Sequence, residues 1–147
     1  MVFAIIIMKN QKAIGEYTEL QCITYLVGLG YTVSTPYGDN APYDFILEVD
    51  NKLYKIQCKT AFVVDEGVWG IRLRRVRINS KQYVRKGYTS DEVDFFSTFI
   101  EGRCYLVPFS EANSSEQRLR FVPPKRKVPY TDASIYEAEK QIALLME

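Results

Sequence analysis

Two strand-like runs, Tyr43-Asp-Phe-Ile-Leu-Glu-Val49 and Leu53-Tyr-Lys-Ile-Gln-Cys-Lys-Thr60, are separated only by Asp50-Asn51-Lys52. Asp and Asn tolerate the backbone a tight turn demands, so the spacing predicts a β-hairpin. The hairpin carries Asp44 near the start of one strand. Gln57 and Lys59 lie near the end of the next. Side chains alternate along a strand, so Gln57 and Lys59 share one face while Ile56 and Cys58 share the other. Tight pairing brings Asp44 across from the Gln57/Lys59 end. A carboxylate, an amide oxygen and an ammonium then converge. That is equipment for holding Mg²⁺ against a phosphate and activating a water beside it. An Asp-(x)₁₂-Gln-x-Lys spacing occurs by chance in many chains, so the flanking segments carry the argument further.

Upstream, Lys12 to Gly30 reads as a helix, with Gly30 as its stop. At 100° per residue, Leu20, Cys22, Ile23, Leu26, Val27 and Leu29 form the apolar face. Thr18, Gln21, Thr24, Tyr25 and Gly28 lie away from it. Glu19 falls near the middle of the apolar face and Glu16 nearer its edge. An acid on a buried face is costly unless it is paired or binds a metal. Glu19 is the candidate third acid, with Glu16 in reserve. The structural alternative is that Glu19 pairs with a lysine or sits at the rim of the core.

The order Glu19, Asp44, Gln57-x-Lys59 resembles the PD-(D/E)xK nuclease superfamily. Two departures stand out: Pro42-Tyr43-Asp44 is not a strict Pro-Asp, and Gln57 replaces the second acid. The segments Ile14-Gly-Glu-Tyr-Thr-Glu-Leu20, Gly30-Tyr-Thr-Val33, Pro36-Tyr-Gly-Asp-Asn40, Tyr43-Asp44 and Ile56-Gln-Cys-Lys-Thr60 narrow the likeness. They are similar to group I intron homing endonucleases of this fold, which also use Gln-x-Lys. Tyr88-Thr-Ser-Asp-Glu-Val-Asp-Phe-Phe96 and Cys104-Tyr-Leu-Val-Pro108 fit the same family's later strands. The resemblance covers about residues 12 to 110. It implies a restriction-endonuclease-like α/β (α+β) core and cleavage of double-stranded DNA to 5′-phosphate and 3′-hydroxyl ends. It also implies a homo-oligomer, dimer or tetramer. The implied catalytic set is Glu19, Asp44, Gln57 and Lys59. Asp44, Gln57 and Glu19 would hold Mg²⁺ (or Mn²⁺), along with a backbone carbonyl near position 58.

The chain has 147 residues, with 47% hydrophobic and 25% charged, which suits one globular domain. Net charge is only +1, but its distribution is uneven. Gly67 to Ser90 holds no acid, yet carries Arg72, Arg74, Arg75, Arg77, Lys81, Arg85 and Lys86. These are candidate DNA contacts; the bland reading is a solvated sheet face. A second basic cluster holds Arg118, Arg120, Lys125, Arg126 and Lys127. There is no histidine, which excludes HNH nucleases, Ser-His-Asp and Cys-His hydrolases, and His-ligated zinc. Cys22, Cys58 and Cys104 are widely spaced and read as buried thiols of a reducing cytoplasm, where the protein would meet DNA. The apolar start Met1–Met8 lacks a basic leader and is too short to span a bilayer. It reads as a short strand or as sequence upstream of a true start at Met8.

The expected order continues with a strand over 31–35 and a fourth strand over 68–78. That strand's alternation slips at Arg74-Arg75, which a bulge would explain. A basic loop or short helix over 79–90 and a second hairpin, 93–100 and 103–108, follow. Residues 110–131 look irregular around Pro123, Pro124 and Pro129. A last helix over 133–146 carries Ile135, Ala138, Ile142 and Leu145 as a stripe for packing or for assembly. Together these predict one domain, a central mixed sheet flanked by terminal helices, with 110–147 a candidate assembly segment. Rival functions are a Holliday-junction resolvase or restriction-type nuclease on the same fold, a non-catalytic DNA-binding module, and an oligomerising scaffold.

Overall fold

In a computed structural model, residues 10–78, 83–113 and 115–147 are described, with 75–78 and 83–86 as backbone. Helix α1 (Gln11–Gly28) is followed by β1 (Thr32–Ser34), β2 (Phe45–Val49) and β3 (Lys52–Cys58). Next come β4 (Phe62–Asp65), β5 (Val68–Arg72), β6 (Arg75–Ile78) and β7 (Tyr83–Lys86). Strands β8 (Phe95–Ile100), β9 (Arg103–Pro108) and β10 (Glu116–Arg120) precede a 3₁₀ turn, Ala133–Tyr136, and helix α2 (Ala138–Leu145).

The predicted hairpin forms. Asp50 and Asn51 take left-handed φ values of 53° and 63°, the backbone a two-residue hairpin turn requires. Lys52 belongs to the strand and pairs with Val49. The central sheet runs β1-β2-β3-β8-β9. Only β3 and β8 pair in parallel, so the sheet is mixed. The second hairpin turns at Glu101-Gly102, both left-handed.

Alternation splits the sheet's side chains between two cores. On one face Phe45, Leu47, Ile56, Phe95, Cys104 and Leu106 meet Cys22 and Leu26 of α1 and Ala138 and Ile142 of α2. Each large side chain fully buried there contributes about 1.5–3 kcal/mol. Both helices therefore cover the same face. Tyr25 Oη donates to Glu139 Oε1 at 2.8 Å, tying the helices together. On the other face, Phe96, Ile100 and Val107 pack with Ile71 and Leu119 of a small β10-β5-β4 sheet.

Helix α1 begins at Asn10, whose side chain accepts from Lys12 N at 2.8 Å. It ends where Gly30 takes φ 97° and Tyr31 N bonds back to Leu26 O at 3.2 Å. Its buried residues are Thr18, Cys22 and Leu26, which corrects the expected face. Leu20, Val27 and Leu29 are exposed, and Glu19 is half-buried beside the stripe rather than at its centre. Thr18 tolerates burial because its hydroxyl lies 3.0 Å from Ile14 O and 3.0 Å from Thr60 Oγ1.

Other boundaries differ too. The run 68–78 is two strands, broken at Leu73-Arg74, rather than one strand with a bulge. Leu73 is buried with Ile71 and Phe96, and its N–H still donates to Ser115 O at 2.8 Å before the chain leaves the small sheet. Strand β4 was hidden between the two runs, with Gly67 at φ 69° in its turn. Within 79–90, β7 pairs with β6. Within 110–131, Glu116–Arg120 forms the edge strand of the small sheet. The expected last helix over 133–146 is instead a 3₁₀ turn followed by α2; Ala138 and Ile142 of α2 enter the domain's own core, while Ile135 in the turn stays exposed. The packing half of that stripe is thus accounted for within the chain. No described helix is long and apolar enough to cross a membrane.

Candidate active site

Asp44 is the residue just before β2, and two bonds fix it to the end of β3. Its N–H donates to Ile56 O at 2.8 Å, and its Oδ2 accepts from Cys58 N at 2.8 Å. The register pairs Phe45 with Ile56, so the next step places Asp44 beside Gln57. The parallel pairing with β8 sets Gln57 against Phe96 and Cys58 against Ser97. Lys59 N continues that ladder to Ser97 O at 2.8 Å. The Cys58 side chain turns the other way, into the helix-covered core, with its Sγ 3.9 Å from Cys22 Sγ. Burial pushes the Cys22 thiol well up, and the hydrogen bond with Cys22, then burial, push Cys58 up, so neither is a nucleophile.

Glu19 comes from α1. It shares an open cleft of about 270 Å³ with Asp44, Asp39 and Tyr43. Burial, then the Asp44 charge, then the Glu16 charge push its carboxyl up to about 7. Burial likewise raises Asp44, against the opposing pull of the Cys58 N–H and the Lys59 charge. Glu16 is exposed and does not line the cleft. Like charges facing one cleft create the field that a divalent cation relieves.

Gln57 stays beside the Cys58 backbone, its Nε2 3.5 Å from the Cys58 carbonyl, at the limit of a hydrogen bond. The available donors are the Asp44 and Glu19 carboxylates, the Gln57 amide oxygen and the Cys58 carbonyl. All are hard oxygens, which fit Mg²⁺ or Mn²⁺ and not a soft metal. Among the described residues there is no metal-holding cluster of three or more His, Cys, Asp or Glu. A cation at this place therefore depends on the neutral oxygens of Gln57 and the backbone.

Lys59 points to the other side of the strand end. Its Nζ donates to Tyr88 Oη at 2.8 Å and lies 4.8 Å from the centre of the Tyr88 ring. With Thr60, Phe62, Arg72 and Arg74 it lines a second open cleft of about 380 Å³. Arg72 and Arg74 are exposed, and the Arg72 guanidinium lies 4.9 Å over the Phe62 ring. Arg75 pairs with Lys86 and Val76 with Arg85 along the β6–β7 backbone, where Arg77 also lies. Lys81 lies outside the described residues.

The structure thus brings Glu19, Asp44, Gln57 and Lys59 to one strand end, an acidic cleft on one side and a basic cleft on the other. Sequence reasoning missed the bond from Lys59 to Tyr88 and the Thr18–Thr60 hydroxyl pair. No local pattern announces either, since both join residues far apart in the chain.

The Asp and the Gln-x-Lys thus stand on one hairpin of a mixed sheet, with a helix acid in the same cleft as the Asp. The pattern of the PD-(D/E)XK endonuclease family matches residues 9–138, and the chain belongs to that family. Among solved structures it is similar to a bacterial homing endonuclease, I-Ssp6803I. The identity is 23% and the TM-score 0.74, over 93% of this chain and 95% of that one. At that identity the likeness establishes the shared fold. No curated protein sequence matches.

Proposed function

We propose that this protein is a site-specific, divalent-metal-dependent endonuclease of double-stranded DNA, acting as a group I intron homing endonuclease. The observation that carries the reading is the bond from Cys58 N to Asp44 Oδ2. It locks the acid onto the strand that presents Gln57, the Cys58 carbonyl and Lys59. Its likeness in fold to a homing endonuclease supports the narrower assignment.

Asp44, Glu19, Gln57 and the Cys58 carbonyl would hold the Mg²⁺ or Mn²⁺. When bound, the ion would supply Lewis-acid polarisation of a phosphate oxygen and acidify a water. Gln57 leaves the site one negative charge short of an all-acid version, so an incoming phosphate meets less repulsion. Lys59, whose charge is felt at Asp44 from across the strand end, would be the fixed cation that offsets charge on the pentavalent phosphorus. The attacking water yields a proton to bulk solvent, and the new P–O bond forms to its oxygen as the P–O3′ bond breaks. The 3′ oxygen takes up a proton, leaving 5′-phosphate and 3′-hydroxyl ends. Arg72 and Arg74, beyond Lys59, hold backbone phosphates flanking the cut. The remaining basic positions Arg75, Arg77, Lys81, Arg85 and Lys86 extend that contact. The 1–147 chain acts as one nuclease domain, assembled as a dimer or tetramer so that both strands are cut.

Candidate insertion-site duplexes and a four-way junction, each incubated with Mg²⁺ or with EDTA, test this reading. Discrete Mg²⁺-dependent double-strand products support it. Cutting confined to the junction makes the protein a resolvase. Tight, site-specific binding without cutting under any divalent cation makes it a DNA-binding module.

A further inference from the structure

We propose that Tyr88 is a positioning residue for Lys59, fixing where the ammonium stands when a phosphate arrives. The proposal rests on the reading of Lys59 as the cation of the cleavage site.

A lysine side chain has four rotatable bonds and loses more rotamer freedom than most when it is fixed. An ammonium that is to oppose charge on one phosphate must nevertheless be held in place beforehand. Here its Nζ has two contacts with a single residue, the Tyr88 oxygen at 2.8 Å and the Tyr88 ring at 4.8 Å. The phenol oxygen takes one donor of a group that has three. At these two distances the ammonium lies beyond the phenol oxygen rather than over the ring face, so the hydrogen bond is the contact that orients it.

Tyr88 is itself fixed. Its ring stands edge-to-face on Phe96, with centroids 5.4 Å apart at 73°. Phe96 is only 2% exposed and packs beside Phe109, centroids 6.1 Å apart. Phe96 is also the β8 partner of Gln57. One buried ring therefore sets both the strand bearing Gln57 and the tyrosine that receives Lys59. The main chain of Lys59 is held by the same strand through Ser97 O. Both ends of the lysine are thereby referenced to β8, and its freedom is lost on folding rather than during the reaction.

Tyr88→Phe removes the oxygen and keeps the ring on Phe96; Tyr88→Leu removes both contacts. Three quantities are measured on each: single-turnover cleavage with Mg²⁺, duplex affinity with Ca²⁺, and the NMR order parameter of the Lys59 ε-methylene. For Tyr88→Phe the expected result is a cleavage rate down about tenfold, as for a mispositioned reacting group, with affinity and melting temperature unchanged. The Lys59 order parameter falls. Tyr88→Leu loses more of both. Wild-type cleavage by Tyr88→Phe, or slower cleavage with Lys59 order unchanged, would overturn the proposal. If wild type cuts no DNA, the nuclease reading fails. The order parameter then still decides the Tyr88–Lys59 link: a fall upholds it, no change overturns it.

Discussion

The carboxylate of Asp44 accepts a hydrogen bond from the backbone N–H of Cys58 at 2.8 Å, across the open end of the β2–β3 hairpin. This bond does two things. It satisfies an N–H in the last residue of β3, and it points an acid along the strand whose next side chain is Lys59. The proposed nuclease chemistry would therefore rest on one hairpin end, with Glu19 supplied by the helix behind it.

On the proposed reading, Lys59 would act in the reaction more than in binding. Lys59→Ala should keep duplex affinity within about threefold, because Arg72 and Arg74 line the same cleft. Cleavage should fall by about 10²–10³, the cost of removing one charge-stabilising group. Gel shift with Ca²⁺ and single-turnover cleavage with Mg²⁺ separate the two.

On the proposed reading, Gln57 would set the charge of the cation site. Gln57→Glu should remain active, bind Mn²⁺ and Mg²⁺ more tightly and change the preference between them. Gln57→Ala should lose cutting. Calorimetry with Mn²⁺ and cleavage across a series of divalent ions check this. Gln57→Ala cutting like wild type would remove Gln57 from the ligand set.

Arg72 and Arg74 are assigned to phosphates. Arg72→Ala and Arg74→Ala should each weaken binding about uniformly across sequences and reduce the slope of log affinity against log salt by about 1. Lost sequence preference with an unchanged slope would instead mark a base contact.

Stability of the metal-free protein should depend on pH through Glu19. Its carboxyl is raised from 4.5 to about 7 by burial and by the Asp44 and Glu16 charges. The folded state thus binds this proton more tightly than the unfolded state. The favourable contribution is complete below about pH 4.5 and is lost as pH rises through about 7. Asp44, also raised by burial, works in the same direction. Urea midpoints across that window should fall more steeply for wild type than for Glu19→Gln, and saturating Mn²⁺ should flatten the wild-type profile.

The hairpin was legible because Asp50-Asn51 accepts left-handed backbone and the flanking runs alternate. The places of Gln57 and Lys59 followed from that register, whereas Glu19 rested on its place at the centre of an apolar face that the structure shifts, so the resemblance carried it. The helix face was misread because hydrophobicity stood in for burial. Thr18 is buried through its hydroxyl partners, while Leu20 and Val27 face outward. Strand β10 was hidden because Glu116-Gln-Arg-Leu-Arg120 has a single apolar residue, and Leu119 alone reaches the core. Tyr88 was legible as an aromatic residue in a matching segment. Its bond to Lys59 spans 29 residues and exists only once β8 has set Phe96 beneath it.

The most direct test of the nuclease centre compares wild type with Asp44→Ala on plasmid DNA carrying candidate insertion sites, with Mg²⁺ and with EDTA. Binding of the same sites is followed in parallel. The account predicts discrete Mg²⁺-dependent cutting by wild type. It also predicts that Asp44→Ala, folded and still bound to the site, does not cut. Cutting by Asp44→Ala at the wild-type rate would contradict it.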